Sequence, residues 1–224
     1  MIQVRASAYA ADGATVRDAA IIPRASLSDL PTDPELTKAV TQVANNLKAL
    51  TAAPVGETYS GPVLFEEAAS AQLIAEVLGP HLALTRKPVG EPGRQAPFMP
   101  SELEGRIGSR ILPEFLDVVD DPIQKVWAGT PLFGSFDVDE EGITPKPVTL
   151  IEKGRLKSYL LTRQPVKGFD ASNGRARLPG QFGARAASIS NLFVKASESL
   201  PRVELRKKLI EMVQARSKPY GIIA

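Results

Sequence analysis

The residues of this chain that could do chemistry are few, and their types exclude more reactions than they permit. Among 224 residues there is one histidine, His81, and there are no cysteines. Disulfides, iron–sulfur ligation and cysteine nucleophiles are therefore excluded, and a serine–histidine dyad would have to include His81. A conventional zinc site needs several imidazoles or thiolates. The chain cannot build such a site from its own residues.

Acidic residues are the remaining candidates for acid–base or metal chemistry. Glu66 and Glu67 stand at the start of a predicted helix, where they could serve as a general base and its neighbour. The helix dipole alone also favours acidic residues there, and without metal ligands we prefer that interpretation. A second set of carboxylates could bind calcium or magnesium, although its spacing matches no EF-hand loop and turn chemistry accounts for it well. This set consists of Asp117, Asp120, Asp121, Asp137, Asp139, Glu140 and Glu141.

A stretch rich in glycine, asparagine and arginine is a candidate anion site. Asn173, Gly174 and Arg175, with Arg177 and Arg185 close by in sequence, could hold a peptide carboxylate through charge-assisted hydrogen bonds. A solvated turn with scattered arginines explains the same residues equally well. Both interpretations therefore stay open at this point.

The first third of the chain predicts a hairpin followed by a helix. Residues 2–9 and 14–22 are β-prone and flank Ala11-Asp12-Gly13, a turn signal that favours a β-hairpin. Apolar residues at helical spacing then predict a helix over residues 33–53, with proline in its first turn. A short strand at 59–65 leads into a helix over 66–78, which places Glu66 at a strand–helix junction.

The rest of the chain is predicted to be mainly β. Residues 85–105 are rich in proline, glycine and charge, which predicts a long flexible loop. Apolar and β-branched runs predict further strands, and an amphipathic pattern predicts a last helix. The strands are expected at 111–119, 134–138, 147–151, 156–161 and 188–195, the helix at 202–217, and the beginning of another strand at 219–224.

This order of elements predicts an α+β fold with an antiparallel, β-rich core and about three helices. The core could be barrel-like or a large mixed sheet. The 27 basic and 25 acidic residues are interspersed and give a net charge of +2, so no nucleic-acid partner is predicted. No segment approaches the roughly 20 apolar residues of a membrane span, and the N-terminus lacks the plan of a signal peptide. We therefore expect a cytoplasmic protein with no membrane partner.

Four stretches, in this order and spacing, resemble the C-terminal half of the TldD/PmbA family, the TldD and TldE subunits of a bacterial peptidase system. The resemblance covers most of residues 1–224. It implies the C-terminal region of such a protein, a fragment without the N-terminal α/β half and the last strands. The stretches are GPVLFEEAAS from Gly61, FLDVVDDP from Phe115, FDVDEEG from Phe136 with LIEKGRLKSYL from Leu150, and SNGRAR from Ser172 leading to SNLFV from Ser190.

The resemblance also implies the state of the metal site. In TldD-type members a His-Glu-x-x-x-His pattern on the helix and a later cysteine bind zinc. The corresponding positions here are Phe65, Glu66 and Ser70, and shifting the alignment by one residue supplies no histidine either. The sequence is therefore more similar to the TldE type, which keeps the fold and lacks the zinc ligands. We expect no catalytic set, no metal and no other cofactor in this chain.

The family resemblance finally implies partners. A TldE-like subunit pairs with a TldD-like catalytic subunit or with itself, and the pair holds unfolded peptide as an added strand. Strands 134–138 and 188–195 are the candidate edges, and Asn173, Gly174 and Arg175 are the candidate peptide contacts. The expected function is that of a non-catalytic subunit that binds unfolded peptide and a catalytic partner in proteolysis or peptide maturation. The alternatives are a metal-dependent peptidase with an unusual carboxylate site and a pure assembly module.

Overall fold

The computed structural model describes residues 1–87, 93, 100–177 and 186–224 of the chain. These residues form two compact units, Met1–Ser60 and Gly61–Ala224. Three α-helices and a set of mostly antiparallel strands are present in the described part, which confirms the predicted α+β class. None of the described helices combines the length and the apolar character that crossing a bilayer requires.

The first unit begins with the predicted hairpin. Strand β1 (Ile2–Tyr9) pairs antiparallel with β2 (Thr15–Ile22) over eight residue pairs. The turn is closed by hydrogen bonds from the amide of Ala10 to the carbonyl of Ala14 and from the amide of Gly13 to the carbonyl of Ala10. Gly13 has φ +85°, which a residue without Cβ adopts at no steric cost. The Ala-Asp-Gly signal in the sequence is therefore a true hairpin turn.

Helix α1 (Asp33–Ala52) covers one face of this hairpin and confirms the second prediction. Its N-terminus is closed by a capping box, in which the amide of Thr32 donates to the Glu35 carboxylate at 2.7 Å. Val43 and Leu47, one helical turn apart, are its buried apolar residues.

The second unit contains ten strands and two α-helices in its described residues. The strands are β3 (Val63–Leu64), β4 (Leu116–Asp120), β5 (Val126–Trp127), β6 (Thr130–Pro131), β7 (Val148–Glu152), β8 (Arg155–Leu156), β9 (Ala176–Arg177), β10 (Ala186–Ala187), β11 (Leu192–Ala196) and β12 (Ile222–Ile223), and the helices are α2 (Glu67–Val77) and α3 (Arg202–Ala215). One antiparallel sheet has four strands in the order β11-β4-β7-β8. The remaining strands form short two-stranded pairs: β3 with β12, β5 with β6, and β9 with β10.

The core of the second unit lies against this sheet. Apolar side chains from β4, β7 and the segment after β8 are fully buried, and Ile74 of α2 packs against them. Tyr159 is buried among them, donates its hydroxyl hydrogen bond to the carbonyl of Leu103, and meets the Phe169 ring edge-on at 5.4 Å. The sheet is open in the described residues, which favours the large-sheet alternative over the barrel-like one.

Several predicted strands are wrong in extent, and one is absent. Residues 134–138 form bends rather than a strand, because their amides bond to loops: Gly134 donates to the Asn191 side chain and Phe136 donates to the carbonyl of Pro122. The strand predicted at 156–161 pairs only at its start, since Leu160 turns away to bond with Leu82. The strands expected at 111–119 and 188–195 are the shorter β4 and β11.

The predicted loop at 85–105 includes residues 88–92 and 94–99, which lie outside the described residues. The described end of this stretch is bound to His81. Ser101 donates its hydroxyl hydrogen bond to the carbonyl of His81, and the amide of Glu102 donates to His81 Nδ1 at 3.2 Å. His81 therefore holds residues 101 and 102 through its carbonyl and its imidazole.

Candidate functional site

The three positions that the family resemblance aligns with the zinc motif lie at the junction of β3 and α2. Phe65 precedes the helix and is 39% exposed. Glu66 is the N-cap residue, with an extended backbone, and α2 begins at the next residue. Ser70 lies in the first turn, where its hydroxyl donates to the carbonyl of Glu67 at 2.7 Å. Phe65 and Ser70 therefore do not share a helical face, because only Ser70 is helical.

The Glu66 carboxylate is held by two arginines of α3. Arg202 donates from Nε to one carboxylate oxygen at 2.9 Å and from Nη2 to the other. Arg206, one turn later on the same helix face, contacts the same two oxygens at 3.3 Å. The Arg202 and Arg206 hydrogen bonds lower the pKa of Glu66 from 4.5 to about 2. The Glu66 side chain is only 14% exposed.

This environment does not fit a divalent cation. The two guanidinium groups already neutralise the carboxylate that would face the metal, and a cation placed there would be repelled by them. No group of three or more His, Cys, Asp and Glu residues that could hold a metal ion is found in the part of the chain that the structure describes. The residues present at positions 65, 66 and 70 are therefore unsuited to zinc.

The acidic residues proposed for a hard cation are engaged in turns and loops. Asp139 is buried, and its two carboxylate oxygens accept the amides of Glu141, Ile143 and Ala176 at 2.8–3.0 Å. Asp117 accepts the amide of Lys153 at 2.6 Å. The turn interpretation explains these carboxylates without a metal.

Arg175 is fully buried, so the interpretation of a solvated turn at this residue is wrong. Its Nε donates to the Asp120 carboxylate at 2.6 Å. Nη1 donates to the carbonyls of Asn173 and Gly174, and Nη2 donates to the carbonyls of Asp120 and Lys146. These bonds use all five N–H groups that a guanidinium has. Arg175 therefore has no donor left for a peptide carboxylate.

The neighbours of Arg175 also bond within the fold. The Asn173 side chain accepts the amide of Leu161 at 2.8 Å and donates to the carbonyl of Tyr159 at 2.7 Å. Gly174 has φ +75°, and a Cβ there would lie 2.6 Å from Pro145 Cα. These contacts assign the segment a role in holding the fold, and its contact with peptide stays a prediction. Arg185 lies outside the described residues.

The Asp120 carboxylate links this segment to β11. Besides Arg175 it accepts the amide and the hydroxyl of Ser190, at 2.8 and 2.7 Å. The adjacent Asn191 donates its side-chain amide to the carbonyls of Asp121 and Gln124. The buried pair thus determines where β11 begins.

The structure adds a feature that the sequence analysis missed, an apolar groove between α2 and β11. We call it the α2–β11 groove. It has a volume of about 500 Å³. Strand β11 is the edge of its sheet in the described residues, so the groove borders an open strand edge. Small residues one helical turn apart on α2 and alternate apolar residues on β11 were the signals in the sequence. The lining residues are Ser70, Ala71, Ile74, Ala75, Ile189, Leu192 and Val194.

The described residues of the second unit form an open antiparallel sheet flanked by a helix, with a glutamate where that helix begins. The sequence model of the PmbA/TldA metallopeptidase C-terminal domain matches residues 57–216, well over half of the chain. The chain therefore belongs to the PmbA/TldD metallopeptidase family.

Two metalloproteases are similar to part of the chain. A metalloprotease of Archaeoglobus fulgidus is 33% identical over 78 residues, which are 35% of this chain and 17% of that protein. A metalloprotease of Methanocaldococcus jannaschii is 31% identical over 99 residues, 44% of this chain and 21% of that protein. The matched segments therefore span about a fifth of these relatives.

Two solved structures share the fold at low sequence identity. One, described as a candidate modulator of a DNA gyrase from Thermotoga maritima, has a TM-score of 0.60 at 19% identity, with 92% of this chain and 42% of that chain covered. The other is TldE from Thermococcus kodakarensis, with a TM-score of 0.53 at 16% identity, and 88% and 39% covered. The chain thus spans about two fifths of each.

Breaking the buried ion pair should destabilise the second unit strongly. Arg175→Met leaves the Asp120 carboxylate buried without its cation, which costs about 3–5 kcal/mol of unfolding free energy. The control Arg110→Met removes an exposed pair with Glu114 and should cost less than about 1 kcal/mol. Urea denaturation measures both. Equal, small losses in the two variants would contradict the structural role of Arg175.

The ion pairs of Glu66 with Arg202 and Arg206 should make the free energy of unfolding depend on pH in the acid range. Because the pKa of Glu66 is about 2 in the folded state and 4.5 ordinarily, its contribution is full above about pH 4.5 and is lost as the pH falls toward 2. Glu66→Gln should therefore reduce the unfolding free energy at pH 6, and the difference from the unmodified chain should shrink by pH 3. The control Glu67→Gln alters a side chain that is 80% exposed and should change little at either pH. A Glu66→Gln effect that is independent of pH would contradict this assignment.

Proposed function

We propose that this chain is a non-catalytic, TldE-like subunit that binds unfolded peptide and presents it to a TldD-like catalytic partner in proteolysis or peptide maturation. The observation that carries the proposal is the double arginine contact of Glu66 at the position of the motif glutamate. Family membership supports a role in peptide processing, and the replaced ligand positions support a role without catalysis.

The ion pair explains why Glu66 is unsuited to act as a general base. A general base works best when its pKa lies near the working pH, and the pKa of Glu66 is about 2. The four donor contacts from Arg202 and Arg206 also occupy both carboxylate oxygens. A water molecule could be polarised there only if both arginines moved away.

The open edge of β11 supports peptide binding by strand addition. The amide of Asp121 donates to the carbonyl of Asn191, and the amide of Ser197 donates to the carbonyl of Phe115. Alternate residues of an antiparallel strand bond to the same neighbour, so the odd-numbered residues of β11 bond to β4. The amide and carbonyl of Val194 consequently point to the open edge. An extended peptide could form backbone hydrogen bonds there.

The catalytic partner would supply what this chain lacks. Zinc sites of peptidases require imidazole, thiolate or carboxylate ligands together with an open coordination position. The proposed role of this chain is therefore to hold the substrate, and a TldD-like chain would provide the metal and the nucleophilic water.

The test is binding of a fluorescent unfolded peptide to the purified chain, followed by anisotropy, with mass spectrometry to detect cleavage. We expect binding without cleavage, with or without added zinc, and cleavage once a TldD-like subunit is added. Val194→Pro should weaken binding at least tenfold because it removes the outward-facing N–H while an edge strand tolerates proline.

Val194→Ala is the matched control, since it keeps both the N–H and the apolar character of the position. It should bind peptide more tightly than Val194→Pro. Cleavage by the chain alone, lost in Glu66→Gln, would favour the alternative of a metal-dependent peptidase. Absence of binding together with persistent self-association would favour a pure assembly module.

A further inference from the structure

The α2–β11 groove has the composition of a side-chain pocket. Seven of the described residues line it, and none of these is charged. Ala71 and Ala75 lie about one turn apart on α2 and project only methyl groups, which leaves the space that larger residues would fill. Across from them, Leu192 and Val194 project from β11. A charged side chain placed there would lose hydration without gaining a partner.

The groove runs along α2 and beside the open strand edge. A Cβ on Gly79, just after α2, would lie 3.1 Å from Cδ1 of Ile189, which places Ile189 near the C-terminal end of the helix. Leu192 and Val194 are two residues apart on one face of β11, so their side chains are spaced by about 7 Å. The groove therefore extends over two successive side-chain positions on this face of the sheet.

A peptide strand added to β11 would place its own alternate side chains on the same face. Residues of neighbouring strands that lie opposite each other have Cβ atoms about 5 Å apart. Two peptide side chains separated by one residue would thus enter the groove beside Leu192 and Val194. The residue between them would point to the opposite face of the sheet. On that face the ring centroids of Phe193 and Trp127 lie 5.2 Å apart.

We infer that the groove selects extended peptide segments that carry apolar side chains at positions i and i+2, and that Ala71 and Ala75 determine the size it accepts. This inference rests on the proposed function and names its substrate class. The continuity of the groove with the open edge of β11 identifies an added strand as the occupant. Its volume of about 500 Å³ lies within the range of small-ligand pockets.

We call Glu66, Glu67, Arg202 and Arg206 the Glu66 cluster. This cluster does not alter the preference for apolar side chains. It lies at the N-terminal end of α2, the end of the groove that Ser70 lines. Glu66 is there bonded to Arg202 and Arg206, and Glu67 lies 3.5 Å from Arg202. These two carboxylates and two guanidinium groups balance in charge, so this end of the groove attracts neither acidic nor basic peptides. The apolar lining is therefore the main source of selectivity.

The experiment compares affinities of four unfolded peptides of one backbone length for the purified chain. They carry two leucines at i and i+2, two leucines at i and i+1, two serines at i and i+2, or two glutamates at i and i+2. We expect about tenfold tighter binding for each leucine that enters the groove. The i, i+2 leucine peptide should thus bind about a hundredfold more tightly than the serine peptide, and the i, i+1 peptide about tenfold more tightly.

Equal affinities of all four peptides would overturn this inference and leave peptide binding by the open edge intact. Absence of binding by every peptide would overturn the proposed function as well. The two failures are therefore distinguishable.

A variant with a filled groove provides the second arm. Ala75→Leu should reduce the affinity for the i, i+2 leucine peptide about tenfold and leave the affinity for the serine peptide unchanged. Gln72→Leu adds the same side chain to α2 outside the groove and should change neither affinity. Parallel losses for both peptides in Ala75→Leu, with unchanged urea denaturation, would contradict a role of Ala75 in selecting side-chain size.

Discussion

The second unit depends on one buried ion pair, between Asp120 at the end of β4 and Arg175. Both side chains are completely shielded from solvent. A buried charge is tolerated only when its remaining donors and acceptors are satisfied. Here the carbonyls of two loop segments, the carbonyl of Asp120, and the Ser190 amide and hydroxyl complete the set. The pair therefore fixes the start of β11 relative to β4, and the α2–β11 groove depends on that placement.

The Glu66 cluster differs from the buried pair of Asp120 and Arg175 because its arginines are exposed to solvent. Arg202 and Arg206 are 59% and 49% exposed, so solvent screens their attraction to Glu66 and their contribution to stability is modest. The two arginines affect the basicity of Glu66 more than they affect the stability of the fold. By surrounding a carboxylate at the start of α2 they lower its basicity and oppose a cation at the same point.

Much of the fold was predictable from local sequence signals. The hairpin of the first unit and helix α1 follow from turn residues and apolar spacing, which act over a few residues. The strand predicted at 134–138 does not form because two of its amides bond outside the segment, that of Gly134 to Asn191 and that of Phe136 to Pro122. Local β propensity cannot report such contacts.

The candidate site was predictable only in part. The residues at the positions that the resemblance aligns with zinc ligands, Phe65 and Ser70, can be read from the sequence, as can the limit of one histidine and no cysteine. The arginine partners of Glu66 come from a helix more than 130 residues away, and Arg175 gave the appearance of a surface residue because arginines usually are exposed. Tertiary packing determines which residues form such pairs, and the spacing of residues in the sequence does not reveal it.

The most direct measurement is the zinc content of the purified chain by metal mass spectrometry, after incubation with zinc and mild dialysis. Our account predicts substoichiometric zinc, because the Glu66 carboxylate faces two guanidinium groups and no described set of three ligands converges. One zinc ion bound per chain, and lost in Glu66→Gln, would contradict the account and show that carboxylates replace the imidazoles of the family motif.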